Sequence, residues 1–129
     1  MQLQNGMTGR AELTVTHADT ALALGSGLLP VLSTPRLVAL MEQAACAAVE
    51  GAMEPNKTTV GVRIDIRHTA ATPLNMRAWA EAELVAVEGR ALTFRIEAFD
   101  EAGGIAIAGH QRVVVDSERF MKKAEAKAK

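Results

Sequence analysis

The chain has 129 residues, a formal net charge of −1 and 49% hydrophobic residues, a size that supports one domain with its own core. It has no dense basic patch, no second cysteine beside Cys46 and no histidine cluster at metal-ligand spacing, which argues against nucleic-acid binding, an internal disulfide and a metal site. Its N-terminus lacks a signal-peptide pattern and no apolar run approaches the ~20 residues of a membrane helix, so we expect a cytoplasmic protein without membrane contact.

The first part of the chain predicts a strand, a loop and one long helix. Residues 11–16 alternate weakly between apolar and polar, and residues 20–33 contain glycines and a proline that are typical of a loop. Ser33-Thr34-Pro35 predicts a helix start, with Thr34 as the oxygen-bearing cap and the proline at the first helical position. Over residues 36–52 apolar side chains recur at three- and four-residue spacing, so most of the helix circumference should be buried.

Beyond the helix the apolar period changes to two, which predicts four antiparallel strands. We expect these at residues 60–68, 76–87, 92–98 and 105–115. In the first of them one face should hold Val60, Val62, Ile64 and Ile66. The charged stretch from Lys122 should form a solvated or frayed helix, so the chain divides into a single domain of residues 1–121 and a tail of residues 122–129.

This element order predicts an α+β fold. An antiparallel sheet curled around one nearly all-apolar helix is the hotdog arrangement. A long meander of strands leaves its edge strands exposed, and edge-to-edge pairing of two copies would cover them. We therefore expect a homodimer, with a tetramer as the alternative.

Three polar side chains are candidates for chemistry. Glu42 lies on an apolar flank of the helix, where a carboxylate needs a partner, although it could also be a partly exposed residue at the helix edge. His68 continues the apolar register of its strand and could be structural. Thr34 is explained as a cap, yet a helix start also offers free N–H groups to a thioester oxygen. Together the three are typical of an acyl-transfer site.

A specific set of motifs extends these observations. The stretch GSGLLPVLSTPRLVALMEQAA is followed by TVGVRIDIRHTAATP. These place a glutamate eight residues after a threonine and a His-Thr-Ala-Ala-Thr-Pro block 26 residues after the glutamate. Together with ELVAVEGRALTFRIEAFD, IAGHQRVVV and Phe120, they cover roughly residues 20–120. Over this range the chain resembles the fluoroacetyl-CoA thioesterase family of hotdog proteins.

The resemblance implies a site and an activity. Thr34, Glu42 and His68 match the family's catalytic triad, Gly61 matches a glycine whose backbone N–H would hold the thioester carbonyl, and Arg112 would support the site or the CoA end. The loop before the threonine is short and lacks phenylalanine, and a proline follows the threonine where the fluoroacetyl-specific enzyme has glycine. We therefore expect a thioesterase that acts on another acyl-CoA.

The expected reaction converts an acyl-CoA and water into a carboxylic acid and free CoA, without a metal or redox cofactor. Glu42 would act as a nucleophile through a transient anhydride or as a general base toward water, and the sequence leaves both routes open. His68 would polarise the water or protonate the departing thiolate.

The sequence disfavours other enzyme classes of the same fold. A hotdog hydratase would be expected to carry an Asp-x-Asn-x-x-His segment, and thioesterases with an aspartate near the first strand also use a tyrosine. The chain has neither that segment nor any tyrosine, and Asp19 is its sole aspartate in that region. The alternative from another class is a non-catalytic acyl-CoA or fatty-acyl binding protein. His110 lies two residues before Arg112 on the same strand face, and we expect it to be structural, with a place near the cleft as the alternative.

Overall fold

The computed structural model describes residues 2–128. Its helices and strands, in chain order, are β1 (Thr8–Thr14), α1 (Ala21–Leu24), α2 (Thr34–Val49), β2 (Lys57–His68), β3 (Arg77–Glu88), β4 (Ala91–Asp100), β5 (Gly103–Asp116) and α3 (Ser117–Glu125). Short 3₁₀ turns span His17–Asp19, Glu50–Ala52 and Ala126–Ala128. The predicted order of a strand, a helix and four strands is confirmed, and so is the α+β hotdog class.

Helix α2 begins one residue earlier than the sequence indicated. The Ser33 side chain is the cap, because its Oγ accepts the backbone N–H of Arg36 at 3.1 Å. Thr34 is therefore the first helical residue and its hydroxyl is free for another contact, so the prediction of Thr34 as the cap is wrong. The helix then continues through a 3₁₀ turn to Ala52 as predicted.

The five strands form one antiparallel sheet in the order β1-β3-β4-β5-β2. Strands β3, β4 and β5 form a meander, but β2 pairs with β5 and not with β3. The expectation of one long meander is therefore wrong. The segment 69–76 crosses two strand positions, about 14 Å at the usual strand spacing, which eight residues span easily. Strands β1 and β2 are the two edges of the sheet.

A β-bulge in β2 changes which side chains share a face. The pairing with β5 shifts between Gly61 and Arg63, so one additional residue is inserted at this point. Before the bulge Thr59 and Gly61 face inward, and after it Ile64 and Ile66 pack on the core. Val62 is 58% exposed. The predicted single face from Val60 to Ile66 is therefore wrong, because an even alternation cannot continue through the extra residue.

Helix α2 packs mainly against β1 and β3. This approach is close because Gly9 of β1 faces the helix backbone, and a Cβ there would overlap atoms of Ala44 and Ala48. The buried core lies between α2 and the inner sheet face, and includes Leu37, Leu40, Met41, Leu84, Leu92, Phe94 and Ile96. Contact between α2 and β2 is slight, so a groove remains beside the β2 edge.

The remaining segments lie on the surface. The predicted loop at residues 20–33 contains the four-residue helix α1 and two isolated bridges, Thr20–Leu32 and Val31–Pro73. Helix α3 begins before the predicted tail. The side chains of residues 118–128, in α3 and in the 3₁₀ turn after it, are exposed. The division at residues 121 and 122 stays a prediction, and its outer residues 1 and 129 lie outside the described range. No helix among residues 2–128 has the length and apolar character needed to cross a membrane.

Candidate active site

The start of α2 and the end of β2 meet at a hydroxyl–imidazole pair. Thr34 Oγ1 lies 2.8 Å from His68 Nδ1. Within residues 2–128 the other ring nitrogen, Nε2, is buried and has no hydrogen-bond partner. Burial lowers the pKa of His68 below 6.5, while a hydrogen bond involving the Ala70 backbone acts in the opposite direction. The imidazole is therefore neutral near pH 7, and its buried Nε2 is without a hydrogen-bond partner within residues 2–128.

A cavity of about 300 Å³ opens beside this pair. Its walls come from the loop before α2 and the segment after β2, and include Ala21, Ser26, Val31, Pro35, Ala70 and Ala71. The same loop carries Leu28 and Leu29, which are 87% and 65% exposed. The cavity therefore has walls of small polar and apolar side chains, and the loop that contributes some of them also carries two exposed leucines.

A second group of side chains surrounds Glu42, two turns further along α2. Its Oε2 accepts a hydrogen bond from Arg112 Nη1 at 3.0 Å, and its side chain is 40% exposed. The carboxylate also lies against Gly61, where an added Cβ would come within 2.5 Å of Oε2. A cavity of about 270 Å³ touches Glu42 and Gly61 and also Val38, Val62 and His110. The partner that the sequence required for this carboxylate is thus Arg112.

Arg112 is itself anchored from β2. Its side chain is 8% exposed, its Nε donates to Thr59 Oγ1 at 2.9 Å, and its Nη2 donates to the Thr59 carbonyl at 3.1 Å. Sequence reasoning missed Thr59, although a cationic residue on the inner face of a strand signals that buried acceptors must exist nearby. His110, expected to be structural, contacts the same guanidinium and lines the second cavity.

Asp19 has a different role. Its carboxylate accepts hydrogen bonds from the backbone and hydroxyl of Thr16 and from Arg36 Nε at 3.0 Å. Burial acts to raise the pKa of Asp19, but these hydrogen bonds and the arginine charge outweigh it, so the pKa falls below 3.8. The contacts with Thr16 stabilise the local turn, and the contact with Arg36 ties it to the start of α2.

Within one chain the two groups do not converge. Eight residues of helix separate Thr34 from Glu42, which is about 12 Å along the axis. Seven residues of strand separate Gly61 from His68, about 20 Å once the bulge is allowed for. The structure therefore joins Thr34 to His68 and Glu42 to Gly61 and Arg112, but does not bring the carboxylate to the imidazole of the same chain.

A curled antiparallel sheet around a central helix defines a hotdog protein. Residues 15–118 match the family described as fluoroacetyl-CoA-specific thioesterases, and the chain belongs to this family. It is accordingly a thioester hydrolase.

Known proteins are similar in sequence and in structure. The curated fluoroacetyl-CoA thioesterase of Streptantibioticus cattleyicolor is 38% identical over 97 residues, which cover 75% of this chain and 70% of that protein. A solved fluoroacetyl-CoA thioesterase structure superposes with a TM-score of 0.92 at 31% identity, covering 98% of both chains. A hot-dog-like protein from Thermanaerovibrio acidaminovorans, 24% identical, gives a TM-score of 0.87 over 97% of this chain and 93% of that one, which shows the shared fold.

Proposed function

We propose that this enzyme hydrolyses acyl-CoA to a carboxylic acid and free CoA, with Thr34, Glu42 and His68 as catalytic residues. Gly61 and Arg112 would bind the substrate and support the carboxylate, and no metal or redox cofactor would take part. The observation that carries the proposal is the unpartnered, buried Nε2 of His68, whose other nitrogen is held by Thr34. A neutral imidazole fixed in this way can serve a reacting group that comes from outside the chain.

The separation of the two groups supports a site shared between two copies. If Glu42 and His68 of one chain lie too far apart to act on one thioester, a second copy can supply the missing half. Strand β2 is an unpaired edge that carries Gly61 and His68 near opposite ends. Antiparallel pairing of β2 with its copy would bring these ends together.

The register of this pairing follows from the positions of the two residues. Once the extra residue of the bulge is left out, Gly61 and His68 lie three strand positions on either side of Asp65. A two-fold axis at Asp65 therefore places Gly61 of one copy opposite His68 of the other. Each site would then combine Glu42, Gly61 and Arg112 of one copy with Thr34 and His68 of the other. The proposed assembly is a homodimer with two sites, located in the cytoplasm.

The proposed chemistry follows from these positions. The Thr34 hydroxyl donates a hydrogen bond to Nδ1 of His68, so that the single proton of the neutral ring lies on Nε2. The Gly61 N–H and the start of α2 hold the thioester oxygen as it becomes negative. Glu42 either accepts a proton from the attacking water or attacks the carbonyl carbon itself. As the carbon–sulfur bond breaks, the Nε2–H of His68 donates a hydrogen bond to the departing CoA sulfur. The thiolate takes its proton from protonated Glu42 in the water route and from solvent in the covalent route, where water then hydrolyses the Glu42 anhydride to the carboxylic acid.

The proposed substrate is an acyl-CoA other than fluoroacetyl-CoA. Two of the related proteins named above act, by their names, on fluoroacetyl-CoA. In this chain the loop that lines part of the cavity carries the exposed Leu28 and Leu29 and no aromatic side chain. Flexible aliphatic side chains contact apolar acyl groups of various shapes, and they offer no polar group to recognise fluorine.

The test is release of free thiol from a panel of acyl-CoAs, from acetyl and fluoroacetyl to long-chain and aromatic. The proposal expects turnover of at least one non-fluorinated thioester by the wild type and its loss in Glu42→Gln. Glu50→Gln is the matched control, since Glu50 is an exposed glutamate at the other end of α2. Turnover that survives in Glu42→Gln would contradict the proposed role of the carboxylate. Preference for fluoroacetyl-CoA would contradict the proposed substrate.

A further inference from the structure

His110 and Arg112 lie two residues apart on β5, and both face the interior. Their relative exposures are 2% and 6%. The Arg112 Nη1 that donates to Glu42 also lies 3.2 Å from His110 Nε2. A single arginine nitrogen thus touches both the carboxylate and the imidazole. The guanidinium is held from β2 by Thr59 and from its own strand by His110.

The hydrogen bonds fix the protonation of His110. Its Nδ1 lies 2.7 Å from the carbonyl oxygen of Arg63, and a carbonyl only accepts, so Nδ1 must carry the proton. Arginine nitrogens only donate, so Nε2 of His110 must present its lone pair to Arg112. Both requirements are met by one form alone, the neutral ring with its proton on Nδ1.

The surroundings of His110 favour the neutral ring. Burial lowers the pKa of His110 most strongly and the positive charge of Arg112 lowers it further, while the hydrogen bond to the Arg63 carbonyl and the charge of Glu42 act in the opposite direction. The net direction is below 6.5. The charged groups that face the ring are Arg112 from β5 and Glu42 from α2. From β4 the ring meets Phe94, with centroids 6.1 Å apart.

We propose that His110 is a positioning residue for the thioesterase site, whose unprotonated Nε2 aims Arg112 Nη1 at Glu42 and so holds the carboxylate beside Gly61. This inference rests on the proposed function of Glu42. An apolar side chain would fill the same space without the cost of burying two nitrogens. Here the Arg63 carbonyl, at the bulge, orients the His110 ring. The oriented ring in turn restrains the buried guanidinium of Arg112 to one orientation.

The first test does not depend on turnover. Nitrogen-15 NMR of the histidine rings, assigned with a His110→Gln variant, reports which nitrogen carries the proton. At pH 7 the inference expects a neutral His110 protonated on Nδ1. In Arg112→Met the loss of the donor and its charge should raise the pH at which His110 becomes protonated. A ring protonated on Nε2, or an unchanged titration in Arg112→Met, would overturn the inference.

The second test is a double-mutant cycle on the best acyl-CoA substrate. His110→Leu is expected to lower kcat about 10-fold or more with little change in KM, because Arg112 no longer holds the Glu42 carboxylate in one orientation. In the Arg112→Met background His110→Leu should lower kcat no further, because it acts through the arginine. His110→Gln, whose amide can donate and accept, should recover part of kcat.

The outcomes separate this inference from the proposed function. If the kcat losses of His110→Leu and Arg112→Met multiply in the double variant, the positioning role is overturned. A normal kcat in His110→Leu when Glu42→Gln is inactive would overturn it as well. Turnover retained in Glu42→Gln would instead reject the proposed function. Thermal unfolding of each variant shows whether it is folded. If His110→Leu is unfolded, the comparison of His110→Gln in the wild-type and Arg112→Met backgrounds carries the test.

Discussion

The hydroxyl of Thr34 and the Nδ1 of His68 lie 2.8 Å apart, although 34 residues separate them in the chain. Two local features make this contact possible. Ser33 takes over the capping of α2, which leaves the threonine hydroxyl unused by the helix. Strand β2 ends at His68 beside the same helix start. The pair is therefore held by one helix end and one strand end, and neither residue depends on a flexible loop.

We expect Thr34→Val to separate catalysis from capping. Valine keeps the shape of threonine but removes the hydroxyl that orients His68, so kcat should fall about 10-fold or more while the thermal midpoint changes little. Ser33→Ala should instead lower the free energy of unfolding by about 1 kcal/mol, because the cap of α2 is lost. Steady-state kinetics and thermal unfolding of both variants check this. A large loss of stability in Thr34→Val with an unchanged kcat would show that its hydroxyl is structural.

Gly61→Ala should displace the carboxylate of Glu42. The added Cβ would lie 2.5 Å from Glu42 Oε2 and 3.3 Å from Arg112 Nη1. The carboxylate is the end of a flexible side chain, so it can move away, and we expect kcat to fall about 10-fold or more with a modest change in stability. Gly109→Ala is the control, because a Cβ there meets nothing within 4 Å. Equal activity of the two variants would contradict the placement of Glu42.

Gly9→Ala should damage the fold. The new methyl group would overlap backbone atoms of Ala44 and Ala48 in α2, which cannot rotate away as a side chain can. We expect a loss of about 3 kcal/mol or more in the free energy of unfolding. Denaturant unfolding, with Gly104→Ala as the control without close neighbours, measures it. If Gly9→Ala is as stable as the control, α2 cannot lie so close to β1.

Stability should decrease in mild acid. Burial lowers the pKa of both His68 and His110 below 6.5 in the folded state. Below about pH 6.5 the unfolded chain therefore binds more protons than the folded chain, and the free energy of unfolding falls with falling pH. The lowered pKa of Asp19 adds a further loss of stability only in more acidic solution, as the pH falls past 3.8. Thermal midpoints at pH 7.5 and 5.5 check this, and His110→Gln should lessen the difference. A midpoint that is equal or higher at pH 5.5 would contradict it.

Much of the fold was predictable because it depends on local pattern. The periodicity of α2 and the alternation in β3 and β4 each reflect one continuous buried face. The pattern failed in β2, where one extra residue after Gly61 shifts the register. It also failed to place β2 at the far edge, because alternation reports which side chains are buried and not which strand is the neighbour.

Candidate residues for the site could be proposed from the sequence, but their arrangement could not. Thr34, Glu42 and His68 stood out through motif spacing and through polar character at apolar positions. Their partners depend on tertiary register, since the hydrogen bonds of Arg112 reach Thr59 and Glu42, 53 and 70 residues earlier in the chain. A pattern along one chain also cannot reveal that the carboxylate and the imidazole lie apart in that chain.

The most direct test of the shared site uses mixed dimers. Glu42→Gln and His68→Ala chains with different tags are co-expressed, and the heterodimer is purified and assayed for thiol release. A site built from both copies leaves one intact site in this heterodimer, so we expect about half of the wild-type activity although each homodimer is inactive. A heterodimer of wild type with a chain carrying both substitutions should be inactive. An inactive first heterodimer and a half-active second one would contradict the account and place each site within a single chain.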